Sequence, residues 1–267
     1  MTFALLGALF IGLSLGLLGS GGSILTVPVL VYLLHQPEKV AIAGSLAIVG
    51  TISFFGALPY ARRGLVHWRS VLFFGLPGMV GTTLGAFLSR VLSGHTQMII
   101  FGLVLSAVAF LMTRTVADRP GRAPRAMGKV ALDGLAVGVI TGVIGIGGGF
   151  LIVPALVLLG GLAMRQAIGT SLVVIALNSA SGFAGHLQVL ARENLTLDGT
   201  VIAIFAAIGT TGCLVGYSVA SRLPQLALRR VFGGLLAVVA IFVLWTHLVP
   251  GAEARPSTPA SSLEGAR

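Results

Sequence analysis

The amino-acid sequence predicts an all-α polytopic membrane protein, arranged as a 5+5 inverted repeat with two re-entrant helical hairpins. Three observations carry that expectation. First, 56% of the 267 residues are hydrophobic and only 9% charged, with a mean hydropathy of +1.03. Apolar runs of membrane length recur from Phe3 to Val249 and leave no room for a soluble domain. Second, the chain repeats itself at a constant offset. Third, each copy carries a glycine cluster followed by an apolar segment too short to cross a bilayer. The runs are continuous and rich in Ala, Leu and Gly, whereas a membrane β-barrel needs alternating strands of about ten residues.

The repeat is direct. "GLLGSGGSILTVPVLVYLL" from Gly16 lies on "GVIGIGGGFLIVPALVLLG" from Gly142 without a gap, an offset of 126 residues. It places Gly16, Gly19, Gly21, Gly22, Pro28 and Leu30 on Gly142, Gly145, Gly147, Gly148, Pro154 and Leu156. Ser45 then falls on Ser171, Ser53 on Ser179 and Gly56 on Gly182. After a short insertion near Gln188 the offset becomes 131, and Gly78, Gly81 and Gly85 fall on Gly209, Gly212 and Gly216.

In chain order, the first repeat (residues 1–113) holds apolar segments at 3–18, 24–34, 39–59, 69–92 and 97–113. A basic linker, 114–129, is expected in the cytoplasm. The second repeat (130–249) holds 130–144, 150–161, 166–186, 198–221 and 230–249. The N-terminal run has no positive flank and no small-residue cleavage pattern, so it reads as the first membrane segment rather than a signal peptide. The second segment of each repeat reaches only about 16 to 18 Å at 1.5 Å per residue, near half of a 30 Å hydrocarbon layer. Arginines cluster after the third segment (Arg62, Arg63, Arg69), in the linker, and after the ninth (Arg222, Arg229, Arg230), which puts these loops inside. The loop after the eighth segment then lies outside, while its duplicate after the third lies inside. The halves are therefore read as inverted, with both termini outside. The tail, 250–267, is rich in Pro, Ser and Ala and is expected to be disordered.

The net charge of +10 is assigned to topology and not to nucleic acid, because no basic stretch carries interleaved aromatics. Cys213 is the sole cysteine, so no disulfide forms within the chain. No metal-ligand cluster, nucleophile–base pair or cofactor fingerprint occurs, and the reading is of a protein that is not an enzyme and needs no cofactor.

Inverted repeats with interrupted segments at matching positions mark secondary transporters and their binding sites. The clusters Gly19, Ser20, Gly21, Gly22, Ser23 and Gly145, Gly147, Gly148, Gly149 become hairpin tips that approach near the midplane. Uncovered backbone N–H groups and the positive end of the following helix would attract an anion there. The alternative is that small residues only let helices pack closely. Neither cluster is followed by Gly-Lys-Ser/Thr nor preceded by a strand, so no nucleotide loop is implied. Pro28 and Pro154 are structural, bending the short segments. Ser45, Ser171 and Asn178, on faces shared with Ser53, Gly56 and Gly182, either donate to an oxyanion or bond between helices. All acidic residues lie in loops, the tail or at a segment end, so no carboxylate relay is expected at depth. His186, near the outer mouth, is the candidate for gating or proton handling.

The paired "GLLGSGGS…VPVL" and "GVIGIGGGFLIVPALVLL" motifs, each followed by an alanine and then "GSL" or "GTSL", resemble the TauE/SafE sulfite-exporter family of membrane permeases. The likeness covers roughly residues 3 to 249. It implies a secondary transporter, an exporter by the family's name, for a small sulfur-containing anion such as sulfite or an organosulfonate across the cell inner membrane. An anion channel, or a carrier for a non-sulfur organic anion such as a carboxylate, are the alternatives. By the resemblance Gly19, Gly21, Gly22 and Pro28 form the first motif and Gly145, Gly147, Gly148, Gly149 and Pro154 the second. Ser20 and Ser23 stand where the second copy has Ile146 and Gly149, which makes the first tip the more polar. The implied partners are the anionic substrate and the lipid bilayer; a homo-oligomer and a coupling ion, proton or sodium, are compatible with this reading.

Overall fold

A computed structural model describes residues 2–20, 22, 26, 27, 29–89, 94–113, 127–144, 149–192 and 195–248. Among these the chain is helical, with no strand. The elements are α1 (Thr2–Leu18), a π-helical turn (Val29–Leu33), α2 (Glu38–Arg62), α3 (68–89), α4 (Gly94–Thr113), α5 (Met127–Ile144), α6 (Gly149–Leu158), α7 (Met164–Arg192), α8 (Gly199–Arg222) and α9 (Gln225–Leu248). The helix α3 is composite: an α-turn Trp68–Ser70, a π-helical stretch Val71–Gly75 and a regular part Leu76–Ser89. Most of the expected linker (114–126), Arg90 and the tail lie outside the described residues.

Within α2, α4, α7, α8 and α9 are five stretches long and apolar enough to cross a membrane, at Lys39–Arg62, Thr96–Thr113, Met164–Ala184, Gly199–Arg222 and Gln225–Trp245. The chain is a multi-pass membrane protein. The helices outrun the expected apolar segments at their ends: α7 continues to Arg192 and α9 starts at Gln225. Hydropathy ends where side chains turn polar, but a helix near an apolar layer goes on bonding its own backbone until another partner is found. For α8 that partner is Asp198, whose carboxylate accepts from the N–H groups of Thr200 and Val201 at 2.9 and 3.2 Å. At its other end the Arg165 guanidinium donates to the carbonyls of Ser221 and Leu223 at 2.9 and 2.7 Å, placing positive charge against the negative end of the helix.

Glycine decides which helices approach closely. A Cβ on Gly12 would strike the Gly209 carbonyl, and one on Gly16 the Cys213 carbonyl, so α1 lies against α8 backbone to backbone. The duplicates repeat this contact: Gly138 meets the Gly78 carbonyl and Gly142 that of Thr82, along α5 and α3. Reciprocally, Gly212 meets Leu9 and Gly216 meets Leu13, as Gly81 meets Leu135 and Gly85 meets Val139. Each pair runs parallel, and each joins one helix of the first repeat to one of the second. Without a hydrophobic drive between apolar helices in lipid, such close van der Waals contact is a main source of association.

The remaining pairs join duplicates directly. Gly169 of α7 packs on Tyr60 of α2, Gly50 on Ser179, and Gly182 on Leu46. Numbers fall on one helix as they rise on the other, so α2 and α7 are antiparallel. Gly102 against Leu244, and Gly233 against Met112 and Thr113, make α4 and α9 antiparallel as well. The short α6 is buried from Gly149 to Leu156, with Pro154 inside it, and its Phe150 ring meets Phe101 of α4 edge-on at 5.1 Å.

Gly138→Ala should lower the apparent melting temperature in detergent by about 5 °C or more, because the new methyl faces a backbone carbonyl that cannot rotate away. Gly234→Ala, where a Cβ meets nothing within 4 Å, should leave it within a degree or two. Equal melting of the two variants would refute the close-packing account.

Candidate functional site

After α1 the chain reverses. Gly19 adopts φ +78°, a left-handed conformation that side chains resist, and its N–H donates to the Leu15 carbonyl at 2.7 Å to close the helix end. The chain then returns along α1: Gly22 lies against Ile11 and Leu15, and Val29 against Gly7. Thr26 donates to the Gly22 carbonyl at 2.9 Å, the helical spacing of the returning limb. The chain thus turns back on α1, with Gly19 and Ser20 at the tip of the reversal. Gly21, Ser23 and Pro28 lie outside the described residues, as do Gly145, Gly147 and Gly148 of the second cluster.

Two long-range hydrogen bonds hold this tip. The Ser171 hydroxyl lies 3.0 Å from the Gly19 carbonyl and 2.8 Å from that of Ile168 in its own helix. The Tyr60 hydroxyl donates to the Gly16 carbonyl at 2.9 Å. Tyr60 satisfies a carbonyl in the last turn of α1, a contribution of about 1 kcal/mol net, and Ser171 shares its one proton between the carbonyls of Ile168 and Gly19, just past the helix end. Gly19 is so tightly seated that a Cβ would come within 2.7 Å of the Ser171 hydroxyl oxygen and 3.0 Å of the Ile168 Cα. Ser20, beside it, is fully buried.

The candidate polar residues do not form one cluster. Gly19, Ser20 and Ser171 come together at the tip. Asn178 is two turns along α7, about 10 Å away, and Ser45 is displaced from Ser171 by about 13 residues in the antiparallel register, roughly 20 Å. Ser45 donates to the Ile42 carbonyl at 2.8 Å, the same local bond that its duplicate Ser171 makes to Ile168. The depth at which α2 and α7 face their own duplicate positions falls near Ile52 and Asn178, so the described tip passes that centre by about 10 Å instead of stopping there. Seventeen residues of α1 extend about 25 Å, more than half of a membrane's hydrocarbon thickness.

Asn178 stands apart in one respect: its Oδ1 is buried and has no hydrogen-bond partner among the described residues. It lines a small crevice with Val174 and Leu177 of its own helix and with Val71, Leu72, Gly75, Leu76 and Met79 of α3, where the π-helical stretch lies. The buried hydroxyls of Ser14 and Ser53 likewise have no partner among the described residues. A buried polar atom left unpaired costs about 1 to 3 kcal/mol, and these two hydroxyls could donate to a bound solute, whereas the Asn178 oxygen could only accept. His186 is half-buried, with Nδ1 3.0 Å from the Gly182 carbonyl of its own helix. Among the described residues no group of His, Cys, Asp or Glu could hold a metal ion.

Sequence reasoning missed Tyr60 and Arg165. Tyr60 stands one residue past the third expected segment, and its only flag is that the repeat sets it opposite His186. Arg165 is a lone cation at a helix start, and nothing local signals that it caps a helix 56 residues away in sequence.

Ser171→Ala should loosen the tip, raising deuterium exchange of the backbone around Gly19–Gly22 about fivefold, the effect of losing about 1 kcal/mol. Ser45→Ala should leave that exchange unchanged. Equal effects of the two would show that the tip is not held by Ser171.

Comparison with known proteins identifies the family. The chain matches the sulfite exporter TauE/SafE family over residues 4–243. A probable membrane transporter protein of Xylella fastidiosa strain 9a5c is 35% identical over 245 residues, covering 88% of this chain and 91% of its own. A second, from strain Temecula1, is 36% identical with the same coverage. The probable membrane transporter protein YunE of Bacillus subtilis is 28% identical over 218 residues, 70% of this chain and 79% of its own. No solved structure matches. With its duplicated glycine-rich motifs, helical membrane fold and whole-length likeness to membrane transporters, the chain belongs to the TauE/SafE family.

Proposed function

We propose that this protein is a secondary carrier that exports a small sulfur-containing oxyanion, such as sulfite or an organosulfonate, across the inner membrane. It is a 5+5 inverted repeat, residues 1–113 and 130–249, joined by a basic cytoplasmic linker at 114–129, with two re-entrant hairpins at the glycine clusters. The observation that carries this reading is the antiparallel pairing of duplicated helices, α2 with α7 and α4 with α9, around a glycine tip. A two-fold axis in the membrane plane requires equivalent helices to run in opposite directions. The parallel pairs α1·α8 and α5·α3 exchange with one another under the same operation, residue for residue.

The anion is favoured by what surrounds the path. The groups offered are the backbone N–H groups of the two glycine clusters (Gly21, Gly22, Gly145, Gly147, Gly148 and Gly149), the hydroxyls of Ser20 and Ser23, and the Asn178 amide. The Gly19 N–H and the Ser45 and Ser171 hydroxyls, which bond the carbonyls of Leu15, Ile42 and Ile168, would join them by releasing those bonds. These donate without a fixed negative charge nearby, since the acidic residues sit at helix ends, in loops or in the tail. Sulfur is favoured by the family description, sulfite exporter. Pro28 and Pro154 shape the short limbs, and His186 is the titratable group beside the outer mouth.

The purified protein in liposomes should take up radiolabelled sulfite or sulfoacetate with saturable kinetics, and acetate or succinate in tenfold excess should compete weakly. Gly19→Ala, which forces a strained backbone and crowds Ser171, should cut the flux at least tenfold. Currents far above carrier rates would replace the carrier with a channel. Saturable flux of carboxylates alone would overturn the sulfur assignment.

A further inference from the structure

The repeat allows one seam of the molecule to be compared with its own duplicate, and the two differ. Along the first, α2 meets α8 at three successive turns. A Cβ on Gly209 would strike Ile52, and one on Gly56 would strike the Cys213 thiol. Tyr60 meets Tyr217 ring edge to face at 4.8 Å, and the Arg63 guanidinium lies over the outer Tyr217 ring, 5.3 Å from its centre. Residues 52, 56 and 60 thus close on 209, 213 and 217 like a zipper. Ile52, Tyr60 and Cys213 are 0, 1 and 0% exposed, which leaves no passage between these helices.

The duplicate seam would close Asn178 and Gly182 of α7 on Gly78 and Thr82 of α3, with His186 the duplicate of Tyr60. It touches at one turn and parts at the next two. A Cβ on Gly75 would meet Val174 of α7 at 3.4 Å, whereas one on Gly78 would meet only the Gly134 backbone within 4 Å and one on Gly182 would meet Leu46 of α2 as its nearest neighbour. Between the parted helices lies the crevice that contains Asn178, and its α3 wall is the π-helical stretch Val71–Gly75. The equivalent residues of α8, 202–206, are regular α-helix. A π-turn inserts a residue and rotates the helix face beyond it, and such turns recur at functional sites.

We infer that these two seams are the two gates of one anion pathway, and that the structure holds the α2–α8 gate shut while the α7–α3 gate stands open. This rests on the carrier reading above and adds which residues open and close. The open gate is the polar one: an amide at Asn178, a hydroxyl at Thr82 and an imidazole at His186 stand where the shut gate has Ile52, Cys213 and Tyr60. The Asn178 amide N–H groups are donors suited to a small oxyanion that enters by this side, while the Thr82 hydroxyl donates to the Gly78 carbonyl at 2.9 Å and His186 Nδ1 lies 3.0 Å from that of Gly182. The shut gate is latched by the Tyr60 hydroxyl on the Gly16 carbonyl, which also fastens the α1 hairpin. Transport follows when the zipper closes on α7 and opens on α2, the exchange of conformations that an inverted repeat permits.

The sole cysteine reports on the shut gate without engineering. In liposomes, Cys213 of the wild type should react slowly with N-ethylmaleimide, and Tyr60→Phe should raise that rate about fivefold by removing the latch. In a Cys213→Ser background, Thr82→Cys should react at least tenfold faster than Cys213 does in the wild type, and adding Tyr60→Phe should slow it. Opposite movement of the two rates supports the paired gates. Arg63→Ala, a milder release of Tyr217, should move both rates in the same directions and serves if Tyr60→Phe does not fold. An unreactive Thr82→Cys, or rates that rise together or stay unchanged with Tyr60→Phe and Arg63→Ala, would overturn the inference. Sulfite flux with non-reciprocal labelling would remove the gates and leave the carrier; reciprocal labelling without sulfur-anion flux would do the reverse.

Discussion

Backbone contact along glycine faces is the constraint on which the rest of this structure depends. Helices surrounded by lipid gain nothing from hiding leucine, so they associate where atoms can come close, and the closest approach is a carbonyl resting where a side chain would otherwise stand. Gly12 and Gly16 on Gly209 and Cys213, and Gly138 and Gly142 on Gly78 and Thr82, are four instances of that one contact. They bind α1 and α5, each the first helix of its copy, to a helix of the other copy, so the two halves are joined backbone to backbone.

That cross-bracing makes a chain reversal tolerable in an apolar interior. The end of α1 leaves carbonyls without helical partners, and in hydrocarbon each would cost several kcal/mol. Ser171, from the opposite repeat, and Tyr60, from the adjacent long helix, bond two of them. The same side chains fix where the tip lies along α7, so the groups that satisfy the fold also set the geometry of the candidate site. Asn178, Ser14 and Ser53, by contrast, have buried polar atoms without partners among the described residues, and a solute that accepts from the two hydroxyls would recover part of what burial costs.

Duplication also explains why so much of the site could be found in the letters. Gly19, Ser171 and Asn178 stood out because the glycine cluster recurs at the same offset as Ser45 and Ser171, and because residues seven apart share a helix face. Their separation was not legible. Seven residues along one helix become about 10 Å, and the antiparallel register of α2 and α7 carries Ser45 about 20 Å from Ser171. Helix ends were read short for a related reason: hydropathy reports the side chain, whereas the helix ends where its backbone finds another partner, as at Asp198.

By itself the sequence determined the helical membrane class, the two copies, the broken segments and the family, because each is written in local composition or in self-similarity at one spacing. Only the tertiary structure decided that α1 pairs with α8 and α5 with α3, that Tyr60 and Ser171 hold the tip, and that one duplicated seam is zipped while the other is parted. Those outcomes depend on which surfaces meet across more than a hundred residues of chain. Equal letters at equal spacing carry no sign of that, because two copies with the same pattern can settle into different packings.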